Sequence, residues 1–279
     1  MGEDERRVVV DGLGLRCSRR EGNGSTNPVP LLLVNGLGAN LEMWEPFRRA
    51  VADRPTIAFD APGTGGSDTP TLPTSMRQLA HLAVALLDRL GVDEFDVLGY
   101  SFGGAVAQEL ARAEPARVRR IVLAAATCGW GGTPPEPLAL AALLSPARYY
   151  LGVLGHEFTR FAFGDPATID LRWSDLARES RPPSILGYSW QMLAMATWSS
   201  YAWLDQLEQP VLVLAGDRDR AVPRRNAELL ARRIPRSRLV VLSGAGHSFL
   251  LAEGTHTFAP IVEEFLDDSD DHCWSFVAT

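Results

Sequence analysis

Cysteine is scarce in this chain. Cys17, Cys128 and Cys273 are far apart, odd in number and form no Cys-x-x-Cys pair, so neither a disulfide framework nor a thiolate zinc site is predicted. Long apolar runs are missing too. No stretch reaches the roughly 18 residues of a membrane span, and the charged opening from Met1 to Arg7 lacks the apolar segment of a signal peptide. The expectation is a cytoplasmic chain with no transmembrane segment. Positive charge is not in excess: the formal net charge is -7, whereas a nucleic-acid partner calls for Lys and Arg clustered on one face. Internal repeats and low-complexity tracts are also lacking. What remains is a 279-residue chain, 46% hydrophobic, long enough to bury one large core.

Short β-branched and Leu-rich runs alternate with helical patterns from Leu31 onward, which predicts βα units and an α/β fold with a mostly parallel sheet flanked by helices. The core strands are expected at Pro30 to Val34, Thr56 to Phe59, Phe95 to Leu98, Val118 to Ala124, Val211 to Ala215 and Leu239 to Leu242, near-continuous apolar runs that suit strands covered on both faces. Ahead of them, Arg6 to Val10 and Leu13 to Ser18 flank Asp11-Gly12, a dipeptide made for a tight hairpin turn. Met76, Leu79, Ala80, Ala83, Val84, Leu87 and Leu90 recur at helical spacing after Thr74 and Ser75, and Gly91 ends the pattern. Phe258, Ile261, Val262, Phe265 and Leu266 form a second such stripe.

About eighty residues separate the strand ending near Ala126 from the one starting at Val211, far beyond an ordinary connection. The stretch carries Trp130, Tyr149, Tyr150, Trp173, Tyr188, Trp190, Trp198, Tyr201 and Trp203, interrupted by Pro134, Pro135, Pro137, Pro182 and Pro183. It reads as a helical cap over a site, inserted before the penultimate strand. The domain expectation is a core of residues 1–128 and 205–279 with a cap at 129–204. Its aromatics either pack the cap against the sheet or face a substrate; Tyr100, Trp130, Trp190 and Trp198 are the candidates for substrate contact.

The strongest chemical signal is Gly99-Tyr100-Ser101-Phe102-Gly103-Gly104, which follows a strand and opens the helical run Ala105 to Ala113. Such an elbow presents a strained serine hydroxyl, with small residues on either side where backbones pass closely. The plain alternative is a helix N-cap. A serine needs a base to remove its proton. Of five histidines, His247 lies in the glycine-rich loop Ser243-Gly244-Ala245-Gly246-His247 after the last core strand, where strand ends gather round the crevice of an α/β sheet. His81, His156, His256 and His272 take solvated or structural roles.

The acid that orients the base is sought after the penultimate strand, in Gly216-Asp217-Arg218-Asp219, because Ala124-Ala125-Ala126-Thr127 offers no carboxylate. Asp219, beyond the tight turn, is favoured; Asp217 reads as a turn residue bonded to local backbone. Charge developing on a substrate oxygen would be held by two backbone amides, that of Phe102 and that of Leu37 in Asn35-Gly36-Leu37-Gly38-Ala39-Asn40. Asn35 either braces that loop or is an ordinary turn residue. Asp60-Ala61-Pro62-Gly63-Thr64-Gly65-Gly66-Ser67 has neither a Walker lysine nor dinucleotide spacing, so it reads as a shaped surface turn with Asp60 structural. No cofactor and no metal are predicted.

These motifs together resemble the α/β-hydrolase superfamily over nearly the whole chain. The loops at Asn35 to Asn40 and Ala58 to Ser67, Trp198 through Trp203 before Leu212-Val213-Leu214-Ala215-Gly216-Asp217, Ser145-Pro146-Ala147-Arg148-Tyr149-Tyr150 and Gly187-Tyr188-Ser189-Trp190-Gln191 are similar to intracellular medium-chain-length polyhydroxyalkanoate depolymerases. The resemblance implies Ser101, Asp219 and His247 as the triad, no metal, and a small-molecule or oligomeric aliphatic ester as substrate. The chain departs from the family at the elbow, with Tyr100 and Phe102 where Val and Trp are usual, and in a longer N-terminal hairpin. Thioesterase, perhydrolase and carbon-carbon bond hydrolase chemistry stay open as alternatives, as does a non-catalytic ligand receptor. A dehalogenase is disfavoured, since its nucleophile is a carboxylate. Oligomeric state is not legible.

Overall fold

The computed structural model describes residues 3–23, 29–165, 181–250 and 255–268. Trp173, His272 and Cys273 lie outside them, as does the side chain of His256. Eight strands form one sheet: β1 (Glu3–Val10), β2 (Leu13–Arg20), β3 (Leu31–Val34), β4 (Thr56–Phe59), β5 (Phe95–Tyr100), β6 (Val118–Ala124), β7 (Val211–Gly216) and β8 (Ser237–Leu242), in the order β1-β2-β4-β3-β5-β6-β7-β8. The β1-β2 and β2-β4 pairings are antiparallel, and every pairing from β4 to β8 is parallel. The opening hairpin turns at Asp11 and Gly12, both at positive φ, the backbone that two-residue hairpin loops demand.

The parallel strands β3, β4, β5 and β7 are buried at every residue, because helices cover both faces. On one face lie α1 (Glu45–Ala50) and, at the C-terminal end of the described chain, the helix Thr255–Asp267, where Trp44, Phe47, Phe258 and Phe265 pack over Leu31, Leu33 and Leu212. Against the other face pack α2 (Met76–Arg89), α3 (Phe102–Ala113) and the helix Arg225–Arg233. Helix α2 starts where its sequence predicts. Ser75 accepts from the amide of Gln78 and the Gln78 side chain reaches back to the amide of Ser75, so two otherwise orphaned amides are satisfied reciprocally.

Between β6 and β7 the described residues hold four α-helices, α4 (Pro137–Leu143), α5 (Ala147–Tyr150), α6 (Gly152–Phe163) and α7 (Ile185–Ala196), and a short 3-10 turn at Leu204–Gln206. The neck of this insertion is tied by an antiparallel bridge between Gly129 and Ser199. Gly129 is required there: its φ is +72°, and a Cβ would sit 2.3 Å from the Trp198 carbonyl oxygen.

The strand order reverses at β3. The chain runs from β3 to β4 on one side, then returns to place β5 on the other, with Val34 in register with Gly99. At such a switch point the loops leaving adjacent strand ends diverge and open a crevice. Here the loops are the one after β3 that begins at Asn35 and the elbow after β5 that holds Ser101.

Candidate active site

Ser101 follows β5 with φ 52° and ψ -114°, a backbone that a non-glycine residue adopts only where the surroundings enforce it. The enforcement is visible. The Ser101 amide donates to the Ala124 carbonyl at 2.8 Å, and the glycines around it are spaces that cannot be filled. A Cβ on Gly99 would lie 2.3 Å from the Gly103 carbonyl oxygen, one on Gly103 would lie 2.1 Å from that of Val34, and one on Gly104 would lie 2.5 Å from the Ala126 Cβ. Strand, elbow and helix are packed to backbone contact, and the serine side chain is what projects.

His247 and Asp219 arrive from the loops after β8 and β7. The Ser101 Oγ lies 3.0 Å from His247 Nε2, and His247 Nδ1 lies 2.8 Å from Asp219 Oδ2. An ionised carboxylate only accepts, so Nδ1 carries the proton and Nε2 is left to accept from the serine hydroxyl. Asp219 is itself held: its Oδ1 accepts from the amides of Ala221 at 2.9 Å and Val222 at 2.7 Å. Both His247 and Asp219 are buried. Asp217 bonds not to its own turn but across it, accepting from the Gly244 amide at 2.7 Å, so it braces the loop that carries His247.

Phe102 heads α3, where the first amides of a helix have no acceptor within the helix. Leu37 sits in a loop pressed against the elbow; a Cβ on Gly36 would touch the Tyr100 ring at 3.0 Å and Ser101 Cβ at 3.6 Å. Asn35 is buried, yet its Nδ2 has no partner, so its side chain does not brace the loop through that atom. Asp60 is buried in the interior rather than at a surface turn. It accepts from the amides of Leu41 and Gly66, both at 2.8 Å, and from Arg16 Nη1 at 3.3 Å.

Each aromatic named as a candidate for substrate contact has a hydrogen-bond partner in the fold. Tyr100 is buried with its ring tilted against that of His247, centroids 5.3 Å apart, and its hydroxyl donates to the His247 carbonyl at 3.0 Å. It stands behind the histidine because residue 100 precedes the elbow and points back into the sheet's core. Trp198 is buried in the core, its Nε1 donating to Glu109 Oε1 at 2.7 Å. Trp190 donates to the Pro70 carbonyl at 3.2 Å. Trp130 is 71% exposed, and its indole N–H is taken by the Ala196 carbonyl.

Two residues of the inserted segment that no motif announced meet the loop of His247. The Phe163 ring stands edge-on to that of His247 at 5.1 Å, and the Phe163 carbonyl accepts from the His247 amide at 3.2 Å. Asp165 accepts from the Ser248 amide at 2.7 Å, while its Oδ2 is buried without a partner. Burial pushes the Asp165 carboxyl above the usual carboxylate range. The available sequence signal was Gly164, which ends α6 at φ 78° and so turns the chain down toward the histidine loop.

Residues 29–253 match the family described as alpha/beta hydrolase fold. The chain belongs to that family. A poly(3-hydroxyalkanoate) depolymerase of Ectopseudomonas oleovorans is 39% identical over 264 residues, spanning 94% of this hydrolase and 92% of that protein. A 2-hydroxymuconate semialdehyde hydrolase of Pseudomonas putida is 29% identical, spanning 80% of each. Among solved structures, a hydrolase from Pseudomonas aeruginosa PA01 superposes with a TM-score of 0.75 at 26% identity, over 95% of this hydrolase and 99% of that chain. The enol-lactonase from Burkholderia xenovorans LB400 superposes with a TM-score of 0.78 at 21% identity, over 94% and 100%, and shares the fold. The α/β-hydrolase architecture expected from the sequence is thereby borne out. No helix among the described residues is long and apolar enough to cross a membrane.

Proposed function

We propose that this hydrolase cleaves aliphatic carboxylic esters of the 3-hydroxyacyl type through an acyl-enzyme on Ser101. The observation that carries the reading is the chain of two hydrogen bonds, 3.0 Å from Ser101 Oγ to His247 Nε2 and 2.8 Å from His247 Nδ1 to Asp219 Oδ2. In the first half-reaction the serine oxygen attacks the ester carbonyl carbon and its proton passes to Nε2. The carbonyl electron pair moves onto oxygen, where the amides of Leu37 and Phe102 would hold it. The carbon-oxygen bond to the alcohol then breaks, and the alcohol leaves with the proton from Nε2. In the second half water attacks the acyl carbon, gives its proton to Nε2, and Ser101 departs with it. Asp219 keeps Nδ1 protonated throughout and balances the imidazolium.

The 39% identity to a poly(3-hydroxyalkanoate) depolymerase over 94% of the chain supports a 3-hydroxyacyl ester as the substrate class. The test is turnover of p-nitrophenyl esters of increasing chain length beside a polyhydroxyalkanoate suspension, with wild type and Ser101→Ala. Wild type is expected to hydrolyse the esters and to be labelled once, at Ser101, by an active-site phosphonate; Ser101→Ala loses both. Ester turnover surviving in Ser101→Ala would end the proposal.

A further inference from the structure

The loop Asn35 to Asn40 that would hold the oxyanion is rich in glycine, and a glycine-rich loop does not by itself hold an amide in one direction. Its geometry is set by two peptide groups. The Gly36 carbonyl accepts from the Ala39 amide at 3.1 Å; in a trans peptide the N–H lies opposite the C=O, so the Leu37 N–H points out of that turn. The next peptide, Leu37 to Gly38, is gripped at both ends by the cap. Its N–H donates to Gln191 Oε1 at 2.9 Å, and its carbonyl accepts from Arg148 Nη2 at 3.1 Å and from the Tyr149 hydroxyl. Gln191 is fully buried on α7, and its Nε2 faces the Pro62 carbonyl at 3.4 Å, which sets the amide so that its oxygen meets Gly38. Gly38 has φ +72°, and a Cβ there would fall 2.8 Å from the Tyr149 ring and 2.9 Å from that of Tyr188. The cap is packed onto the loop as closely as a glycine allows.

Arg148 is half-buried, and both of its Nη nitrogens are engaged within the protein. Its Nη1 donates to the Ala142 carbonyl at 3.0 Å and to the Tyr188 hydroxyl at 2.6 Å, and its Nη2 to the Leu37 carbonyl and to the Tyr149 hydroxyl at 3.4 Å. The rings of Tyr149, Tyr188 and Phe163 surround the guanidinium with centroids at 4.6, 5.3 and 6.0 Å. An arginine partly withdrawn from water is commonly matched by a carboxylate. Among the described residues none is bonded to Arg148, and neutral dipoles and aromatic faces take that place. The four η hydrogens meet four acceptors inside the protein. A substrate carboxylate would have to displace them, so the arrangement suits holding a loop and not capturing an anion.

We propose that Arg148, with Tyr149 and Gln191, is a positioning clamp through which the cap fixes the oxyanion loop. The site is then complete only when the cap is seated, because Arg148 and Tyr149 on α5 and Gln191 on α7 set the Leu37-Gly38 peptide, and with it the direction of the Leu37 amide. The inference rests on the acyl-enzyme reading given above. Arg148 touches no reacting atom. Its loss should therefore weaken transition-state stabilisation while leaving the affinity for a ground-state ester alone.

The experiment compares wild type, Arg148→Met and Ser101→Ala on a short p-nitrophenyl ester and in phosphonate inactivation. Arg148→Met is expected to lower kcat by about 10- to 100-fold, below the loss from deleting an oxyanion donor outright, with KM within about two-fold. The phosphonate inactivation rate should fall by the same factor, because the phosphoryl oxygen uses the same amides. Should Arg148→Met fail to fold, Tyr149→Phe removes only the hydroxyl on the Leu37 carbonyl and should lower kcat by about 2- to 10-fold, the worth of one hydrogen bond. Wild-type kcat in these variants, or a loss wholly in KM, would overturn the clamp while leaving the serine mechanism standing. Wild type without Ser101-dependent turnover would overturn both.

Discussion

The Tyr100 hydroxyl donates to the backbone carbonyl of His247 at 3.0 Å, so the residue before the candidate nucleophile holds the main chain of the candidate base. Tyr100 ends β5 and His247 lies in the loop after β8, 147 residues apart in sequence. Burial raises the Tyr100 pKa well above the usual phenol value, which keeps the hydroxyl a donor. Tyr100→Phe removes this bond and leaves a buried carbonyl unpaired, at a cost of about 1 to 3 kcal/mol in stability. Urea denaturation measures that loss, and kcat should fall a few-fold. KM along a series of ester chain lengths should follow wild type; a KM profile reshaped at long chains would mean that Tyr100 touches the acyl group after all.

Asp219→Asn keeps an oxygen for the amides of Ala221 and Val222 but offers His247 a neutral partner that can hold the wrong tautomer. The expected outcome is a fall in kcat on the order of 10⁴-fold with the fold retained. Steady-state kinetics beside circular dichroism checks both parts. Activity near wild type would shift the acid's role to another carboxylate, with Asp165 first in line.

Gly103→Ala and Gly91→Ala separate two reasons for glycine. At Gly103 the new Cβ would stand 2.1 Å from the Val34 carbonyl oxygen, while at Gly91, φ +68°, it meets open space. The first should destabilise by about 3 kcal/mol or prevent folding, through overpacking of backbone. The second should cost about 1 kcal/mol, the left-handed strain alone. Equal midpoints in urea would refute the distinction.

Asp60 titrates where the fold's stability can be followed. Burial lifts its carboxyl from 3.8 to about 6 against the lowering by the amides of Gly66 and Leu41 and by Arg16. Its folded value therefore exceeds its unfolded one, and the folded state holds the proton longer. The contribution is favourable below about pH 4 and is lost as pH rises through about 6, by up to about 3 kcal/mol for a two-unit shift. Comparing unfolding free energies at pH 4.5 and 7.5, Asp60→Asn should lack this part of the slope. Parallel pH curves for the two proteins would contradict the assignment.

The strands were legible because both faces of a parallel sheet are covered, which turns Leu31 to Val34 and Val211 to Gly216 into unbroken apolar runs. Their ends were less so. β5 runs on through Gly99 and Tyr100, and β8 starts at Ser237, since pairing with a neighbouring strand extends a strand past its apolar stretch. Asp217 read as a local turn residue because spacing reveals turns, whereas its partner, Gly244, lies in another loop.

The sequence by itself determined the alternation of strands and helices, the position of the inserted segment, and the elbow whose glycines are demanded by backbone contact, because each is a local pattern of apolar period or steric necessity. Only the tertiary structure decided which side chains of the inserted segment reach the loops of Leu37 and His247. Trp130 and Trp198, conspicuous in the sequence, bond to Ala196 and Glu109, while Arg148, Phe163, Asp165 and Gln191 reach the loops of Leu37 and His247. Those contacts depend on how helices from one insertion dock on strand ends distant in the chain, and residue type and spacing carry no record of that docking.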